Sequence, residues 1–422
     1  DETFYLAIHG ADKFKLLNEW QPREYAYDKI RGSLAKRWVY RALQFDCVDA
    51  QKLTFTFGTD KSQLVSDAIM AFDEWDLIRS RLKGFTQSVK TNNGVAYSSA
   101  IFALESLVTS LNSSINTTGV FAGLPWFFQF WARDELISLQ GLVLSEKYAL
   151  VKDILLRYVN NLQDDGRLPN RVPHAGLGSA DAVGWLWKRL GDLLTHLDKA
   201  GLLKDYFSVD ELNELTDKLE LSLKQLQEHH VVGEVVVNNS QETWMDTHGG
   251  VGDVRDGIRV EIQALTLASL KTLRLLYKLT RRGNGKSFRD FESSLLKKTR
   301  EILFVNGVLY DGFTTELDTV IRPNVFIAAY VYPELLSKKE WVSTFKFTLD
   351  NLWLNWGGLS SVAKNSWLFT PQYSGENNRS YHRGDSWYWV NNVAAIAMAT
   401  VTPKEFFYYV QGIKLASVHD LL

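Results

Sequence analysis

Hydrophobic and polar positions follow two different periods along this chain. Up to about residue 62 the apolar residues come in short β-branched or aromatic runs with partial alternation: Phe4–Ile8, Trp38–Phe45 and Leu53–Phe57. That pattern predicts strands of a small sheet. From about Ser62 onward the spacing changes to that of an amphipathic helix, about 3.6 residues. The stretches that carry it are 64–83, 95–111, 133–144, 146–162, 180–199, 208–229, 257–279, 285–303, 322–332, 338–352, 384–400 and 403–419. Stretch 257–279 is apolar over most of its circumference, as suits a helix buried on two sides. No repeat of fixed period supports an open solenoid. Twelve helices without a parallel-sheet pattern predict a mainly α fold, a closed (α/α)6 toroid of six helical hairpins with a small N-terminal β segment. The predicted division is 1–62 for the β segment and linker and 63–422 for the helical domain.

Composition adds one unusual feature. Hydrophobic content of 45% and charge of 23% are ordinary for a globular chain of 422 residues, but 14 Trp, 17 Tyr and 23 Phe are many aromatics. Clusters of Trp with Asp and Arg point to ligand surface as well as core. A net charge of -2, with no basic block of five residues, argues against nucleic acid or an anionic membrane as partner and for a neutral polar substrate. The lone Cys47 excludes an internal disulfide and a cysteine metal cluster, and fits a cytoplasmic protein. No apolar run approaches the roughly 18–20 residues that span a bilayer. No signal peptide precedes Asp1, and a start on Asp rather than Met leaves processing or truncation upstream open.

The stretch from Pro125 to Ile137 is the richest in chemistry. Five aromatics (Trp126, Phe127, Phe128, Phe130, Trp131) lead directly into Arg133-Asp134-Glu135. Aromatic faces stack on the apolar faces of sugar rings while carboxylates and arginine hold hydroxyls, and a carbohydrate pocket needs both. The competing reading is a buried helix start with a structural Arg-Asp pair. Similar patches stand at other predicted helix starts: Gly178 to Trp185, Thr243 to Asp246, Arg259 to Ile262, Arg322 to Asn324, and Tyr381 to Trp389. In a helical toroid alternate helix starts gather at one end, so these patches can share one funnel.

In this order the patches resemble the amylo-α-1,6-glucosidase domain of glycogen debranching enzymes. The family's Pro-Trp-Phe…Trp-Gly-Arg-Asp-Thr block stands here as Pro125-Trp126-Phe127…Trp131-Ala132-Arg133-Asp134-Glu135. Its Tyr-Asn-x-x-Asp-Ala-x-x-Trp block appears as Gly178-Ser179-Ala180-Asp181-Ala182-Val183-Gly184-Trp185. Thr243-Trp244-Met245-Asp246 and Val260-Glu261-Ile262 are intact, Leu-Arg-Pro-Asn becomes Ile321-Arg322-Pro323-Asn324, and the last block is Tyr381-His382-Arg383-Gly384-Asp385-Ser386-Trp387. Six blocks in register over roughly 120–400 carry the resemblance. It implies an (α/α)6 barrel and inverting hydrolysis of α-1,6-linked glucose at branch stubs of glycogen-like glucans. The implied substrate is glycogen, limit dextrin or a maltooligosaccharide. Ala132 replaces the family's glycine, and Ser386 stands where some members carry Glu.

Inverting hydrolysis needs two carboxyl groups, a protonated acid and an ionised base, about 6.5–9.5 Å apart. Asp181 lies among Ala180, Ala182, Val183 and Trp185 with no basic neighbour in sequence, so it is expected to be the acid; a helix N-cap is the alternative. Asp385, beside His382 and Arg383, is expected to be kept ionised as the base, with Glu376 in a polar loop as its competitor. Asp134, Asp246 and Glu261 read as substrate-positioning carboxylates or ion-pair members, with Arg133 and Arg322 holding them or donating to hydroxyls. Asn324 and His382 are further polar candidates for the substrate. Trp126, Trp131, Trp185, Trp244 and Trp387 are candidate sugar platforms, each balanced against core packing.

No cofactor or metal is expected. His174, His248 and His382 lack the i, i+4 spacing of metal ligands. No Gly-x-Ser-x-Gly elbow, Walker loop or dinucleotide fingerprint occurs. Gly249-Gly250-Val251-Gly252-Asp253 follows no predicted strand and reads as an active-site loop. The alternatives are a glucoamylase- or trehalase-like α-glucosidase, although the trehalase Gln-Trp-Asp block is missing, a phosphorylase of the same toroid class, and a non-catalytic glucan-binding module.

Overall fold

The computed structural model describes the chain except residues 1–2, 4, 31–33, 47–51, 78–79, 81–93, 113–115, 124–126, 128, 173–177, 248–253, 284, 375–378 and 422. Trp126, Glu376 and the glycine loop 249–253 therefore lie outside the described residues. The chain forms two compact units, and the boundary after Ser99 falls inside the helix Gly94–Leu107. The pattern-based division at residue 62 left helix α1 (Lys61–Asp73) with the helical domain, whereas its contacts tie it to the strands.

In the first unit β1 (Tyr5–His9) pairs antiparallel with β4 (Thr54–Gly58), and β2 (Lys13–Glu24) with β3 (Lys36–Asp46). Helix α1 starts on Asp60, whose carboxylate accepts from the Ser62 and Gln63 amides, and it buries Leu64 and Ala68. Thr54 and Thr56 on β4 donate their hydroxyls to the Ala68 and Leu64 carbonyls, clamping helix to strand. Strand β2 escaped the periodicity. Its register shifts between Leu16 and Glu19, where Asn18 takes a left-handed φ of 49°, and Pro22 sits within the run. The bulge, the adjacent Leu16 and Leu17 and the proline interrupt a simple alternating run although the strand exists.

The second unit is mainly helical. After α2 (Gly94–Leu107) and the hairpin of β5 (Val108–Asn112) and β6 (Asn116–Val120), ten longer helices follow among the described residues: α3 (Ala132–Leu144), α4 (Tyr148–Val159), α5 (Ala182–Ala200), α6 (Val209–His230), α7 (Val260–Thr280), α8 (Lys286–Leu303), α9 (Asn324–Val331), α10 (Lys338–Leu352), α11 (Tyr388–Val401) and α12 (Phe407–Leu421). Each predicted helical stretch holds one. The end of 95–111 is the exception, because its β-branched Val108 and Thr109 belong to β5. Helices α3, α5, α7, α9 and α11 pack side by side in that order, and α4, α6, α8, α10 and α12 lie against them. Helix α7 buries 15 of its 21 residues, which explains its apolar circumference. Close approach to α5 rests on glycine: a Cβ on Gly184 would lie 2.5 Å from Leu265 Cβ, and one on Gly191 would lie 2.3 Å from Thr272 Oγ1. Capping boxes of Ser208 with Glu211 and Ser337 with Glu340 start α6 and α10.

The five side-by-side helices begin at the sequence blocks noted above. Backbone bonds join the segments leading into them: Ala132 N donates to Asn170 O, Ala180 N to Glu242 O, and Val260 N to Asp311 O.

Candidate active site

Arg133, in the first turn of α3, is the centre of the site. Its Nε donates to Asp181 Oδ2 at 2.6 Å, its Nη1 lies 3.6 Å from Asp246 Oδ2, and Nη2 has no hydrogen-bond partner among the described residues. Burial works against the Arg133 cation, but the fields of Asp181, Asp246 and Asp134 outweigh it and hold the guanidinium well above its ordinary pKa. Burial pushes the Asp134 carboxyl up; Arg133 pulls it back, and Asp181 and Asp246 push it further up. Asp246 is likewise raised by burial, lowered by Arg133 and raised again by Asp181, while its side chain stays 34% exposed. Three carboxylates on one cation thus make a cluster with an excess of negative charge that favours retaining a proton.

Asp181 occupies the N-cap position of α5 without capping it. Its Oδ1 accepts from Ser179 Oγ at 2.9 Å, its Oδ2 is taken by Arg133, and the residue is 1% exposed. This corrects the expectation of a carboxyl in purely apolar surroundings. The basic neighbour absent from the local sequence arrives from α3, 48 residues away.

Asp385 also differs from its sequence-based picture. Its Oδ2 accepts from Ser380 Oγ at 3.0 Å, and burial raises its carboxyl against that bond. His382 brings no charge to hold it ionised, because burial, together with Arg133, Arg255 and Arg383, drives the imidazole well below its usual pKa. Arg383 Nη1 instead donates to Thr247 Oγ1 at 3.2 Å, and Thr247 Oγ1 lies 2.9 Å from His382 Nδ1. Burial raises the Tyr381 hydroxyl, and the fields of Asp246, Asp134 and Asp385 add to the shift.

An aromatic group adjoins these acids. The Trp244 ring meets His382, Trp387 and Trp389 edge to face, at 5.3, 5.7 and 5.3 Å, and His382 stacks on Trp387 at 5.2 Å. Trp387 Nε1 donates to Tyr381 O at 2.8 Å, which fixes a half-buried ring. Trp131, also half-buried, lies under the Arg171 guanidinium, and its Nε1 has no partner among the described residues. Trp185 is not a sugar platform: at 1% exposure it is core, packed against Tyr330 and Trp389.

Glu261, Arg322 and Asn324 are buried as well and form the support beneath the site instead of its lining. Asp311 accepts from Arg255, Arg322 and Asn324, and Arg255 also holds Glu261 at 2.8 Å. Burial opposes the Asp311 charge, but Arg255, Arg322 and Arg259 hold it well below the usual carboxylate range; Glu261, with Arg255 as its one counterion and Asp311 nearby, is raised by burial. Asn324 passes this order to the aromatics, since its Oδ1 accepts from Trp244 Nε1 at 2.7 Å. Asp311, Arg255, Thr247 and Tyr381 were not singled out from the sequence. Only Tyr381, inside the last block, carried a local signal. Among the described residues no group of three or more His, Cys, Asp or Glu side chains is placed to hold a metal, and no helix is long and apolar enough to cross a membrane.

Residues 95–415 match the sequence profile of the amylo-alpha-1,6-glucosidase family. No curated protein matches the chain. The fold is similar to that of the GH63 mannosylglycerate hydrolase from Thermus thermophilus in complex with glucose (TM-score 0.57, 13% identity, 76% of this chain and 90% of that one). It is similar also to an uncharacterized conserved protein from the same organism (TM-score 0.55, 14% identity, with the same coverage of 76% and 90%).

Proposed function

Because this chain belongs to the amylo-α-1,6-glucosidase family and is a glycoside hydrolase, we propose that it releases glucose from α-1,6 branch points of glycogen-like glucans by inverting, two-carboxylate hydrolysis. The observation that carries this reading is the juxtaposition at Arg133 and Tyr381, where a proton-retaining carboxylate cluster adjoins an anchored aromatic group. Sugar rings use such aromatic faces, and hydroxyls use the ionic edges. The unpartnered Arg133 Nη2 is a donor available to one of them. The packing of five helices in sequence, each with a companion against it, supports an (α/α)6 toroid with the site at the starts of the inner helices. A cytoplasmic location agrees with the single cysteine.

Asp181 is assigned as the proton donor and Asp385 as the base, each on its sequence block. One observation favours a second donor: Asp246 combines a raised carboxyl with partial exposure at the other edge of Arg133. Glucose release from isomaltosyl-branched dextrin, followed by NMR of the first anomer formed, tests the whole reading. Asp181→Asn and Asp385→Asn should each lower the rate about 10²–10⁴-fold. An unchanged Asp181→Asn enzyme with a silent Asp246→Asn enzyme would transfer the acid role to Asp246. Retention of the α-anomer would refute inversion.

A further inference from the structure

A surface groove of about 380 Å³ lies between the hairpin Trp353–Leu359 and helix α12. Trp353, Asn355, Trp356, Tyr408, Gln411 and Leu415 line it, and no lining residue is charged. Large aromatics are exposed there to a degree rare in a core: Trp356 is 60% exposed and Tyr408 68%. Two carboxamides stand among them, so the surface offers stacking faces and neutral hydrogen-bonding groups side by side. That combination suits a ligand with apolar ring faces and a periphery of hydroxyls.

Glycine builds the platform. A Cβ on Gly358 would lie 2.3 Å from Trp356 Cη2 and 2.8 Å from Ser386 Oγ. The far end of the indole therefore lies close against the bare Gly358 backbone, and Ser386, the residue after Asp385, approaches the same point while Trp356 stays 60% exposed. Gly357 brings the hairpin onto α12: a Cβ there would meet Gly412 O at 2.4 Å, and its φ of 106° is one that side chains avoid. Trp353 packs edge to face on Tyr409 at 4.9 Å, which holds the groove's floor.

We propose that this groove is a glucan-binding surface, holding a neutral α-glucan chain on Trp356 and Tyr408 and running toward the Asp385 segment. The inference rests on the α-glucan reading of the active site. With no charged side chain in its lining the groove favours a neutral ligand over an anionic one, and the approach of Ser386 to Gly358 gives a bound chain a direction toward the site.

The test uses the full chain, with glycogen retardation in native gels and maltoheptaose titration by calorimetry. Trp356→Ala and Tyr408→Ala should each weaken glycogen binding about tenfold, roughly one lost stacking contact, and Trp356→Phe should restore part of it. Glucose release by the wild-type chain is measured in parallel and reports on the active-site reading alone. If the wild type releases glucose while all three variants bind glycogen as it does, the groove assignment falls and the function stands. If the wild type releases none but is retarded in a Trp356-dependent way, the groove stands and the debranching reading falls. A concentration-dependent dimer that Trp356→Ala dissolves, with glycogen binding unchanged, would assign the groove to a second copy of the chain and overturn the proposal.

Discussion

Replacing Arg133 by leucine isolates the cluster at the centre of the site. The guanidinium donates to Asp181 at 2.6 Å and lies 3.6 Å from Asp246, and Asp181 is 1% exposed. Removing one partner of a buried pair leaves the other uncompensated, at about 3–5 kcal/mol. With the usual entropy of unfolding per residue, a helical unit of this size responds by roughly 1.5 °C per kcal/mol, so the midpoint should fall by about 5–8 °C. The pH dependence has a defined sign. Asp134 and Asp246 bind their protons more tightly in the folded chain than in the unfolded one, since burial raises both. Carboxyls of this kind destabilise the fold above their folded pKa and cease to do so once pH falls below the unfolded value, about 4. Without Arg133 to oppose the shift, the deficit of Arg133→Leu should be largest near pH 8 and shrink toward pH 5. Scanning calorimetry across that range, with Arg133→Lys alongside, is the assay. Lysine restores the charge but not the fork that reaches two carboxylates, so it should recover only part of the loss. An Arg133→Leu chain that melts within 1–2 °C of wild type at every pH would refute the claim that a buried ion pair organises the site.

Two further outcomes follow from other parts of the molecule. His382 is held neutral with its pKa well below the ordinary value, so below about pH 6.5 the unfolded chain gains a proton that the folded one does not. His382 thus contributes a loss of stability on acidification, and His382→Gln should remove up to about 1.4 kcal/mol per pH unit of that loss in denaturant titrations compared with wild type; parallel slopes would count against it. Gly184→Ala places a Cβ 2.5 Å from Leu265 Cβ, where two closely packed helices have little room to give. It should lose about 1–3 kcal/mol in urea unfolding, and a neutral result would mean that α5 and α7 can separate freely.

The residues that the sequence marked and those that the structure employs overlap unevenly. Arg133, Asp134, Asp246, Trp387 and Asp385 were visible because aromatic and acidic types crowd the helix starts. Trp185 sits in the same kind of block yet is core. A block shows that a residue lies at a helix start and does not show which way its side chain faces. Glu261, Arg322 and Asn324 went the same way, inward to the network of Arg255 and Asp311, the latter a residue in a bend between two short hairpins that carries no motif. The surroundings expected for Asp181 and Asp385 were read from adjacent residues, whereas proximity in space brings Arg133 from another helix to Asp181 and leaves a neutral His382 in the Asp385 segment.

By itself the sequence determined the helices, their order and the family, because a helix records its buried face every few residues and each helix start keeps its chemistry local. It left strand β2 unmarked, since the adjacent Leu16 and Leu17 and the proline at 22 interrupt the apolar alternation that marks a strand. Only the tertiary structure decided which carboxylates carry a raised pKa, which tryptophans are exposed, and that an uncharged aromatic groove lies beside Ser386. Those properties depend on burial and on partners tens of residues away, and electrostatic energy falls with distance in space, not with separation along the chain.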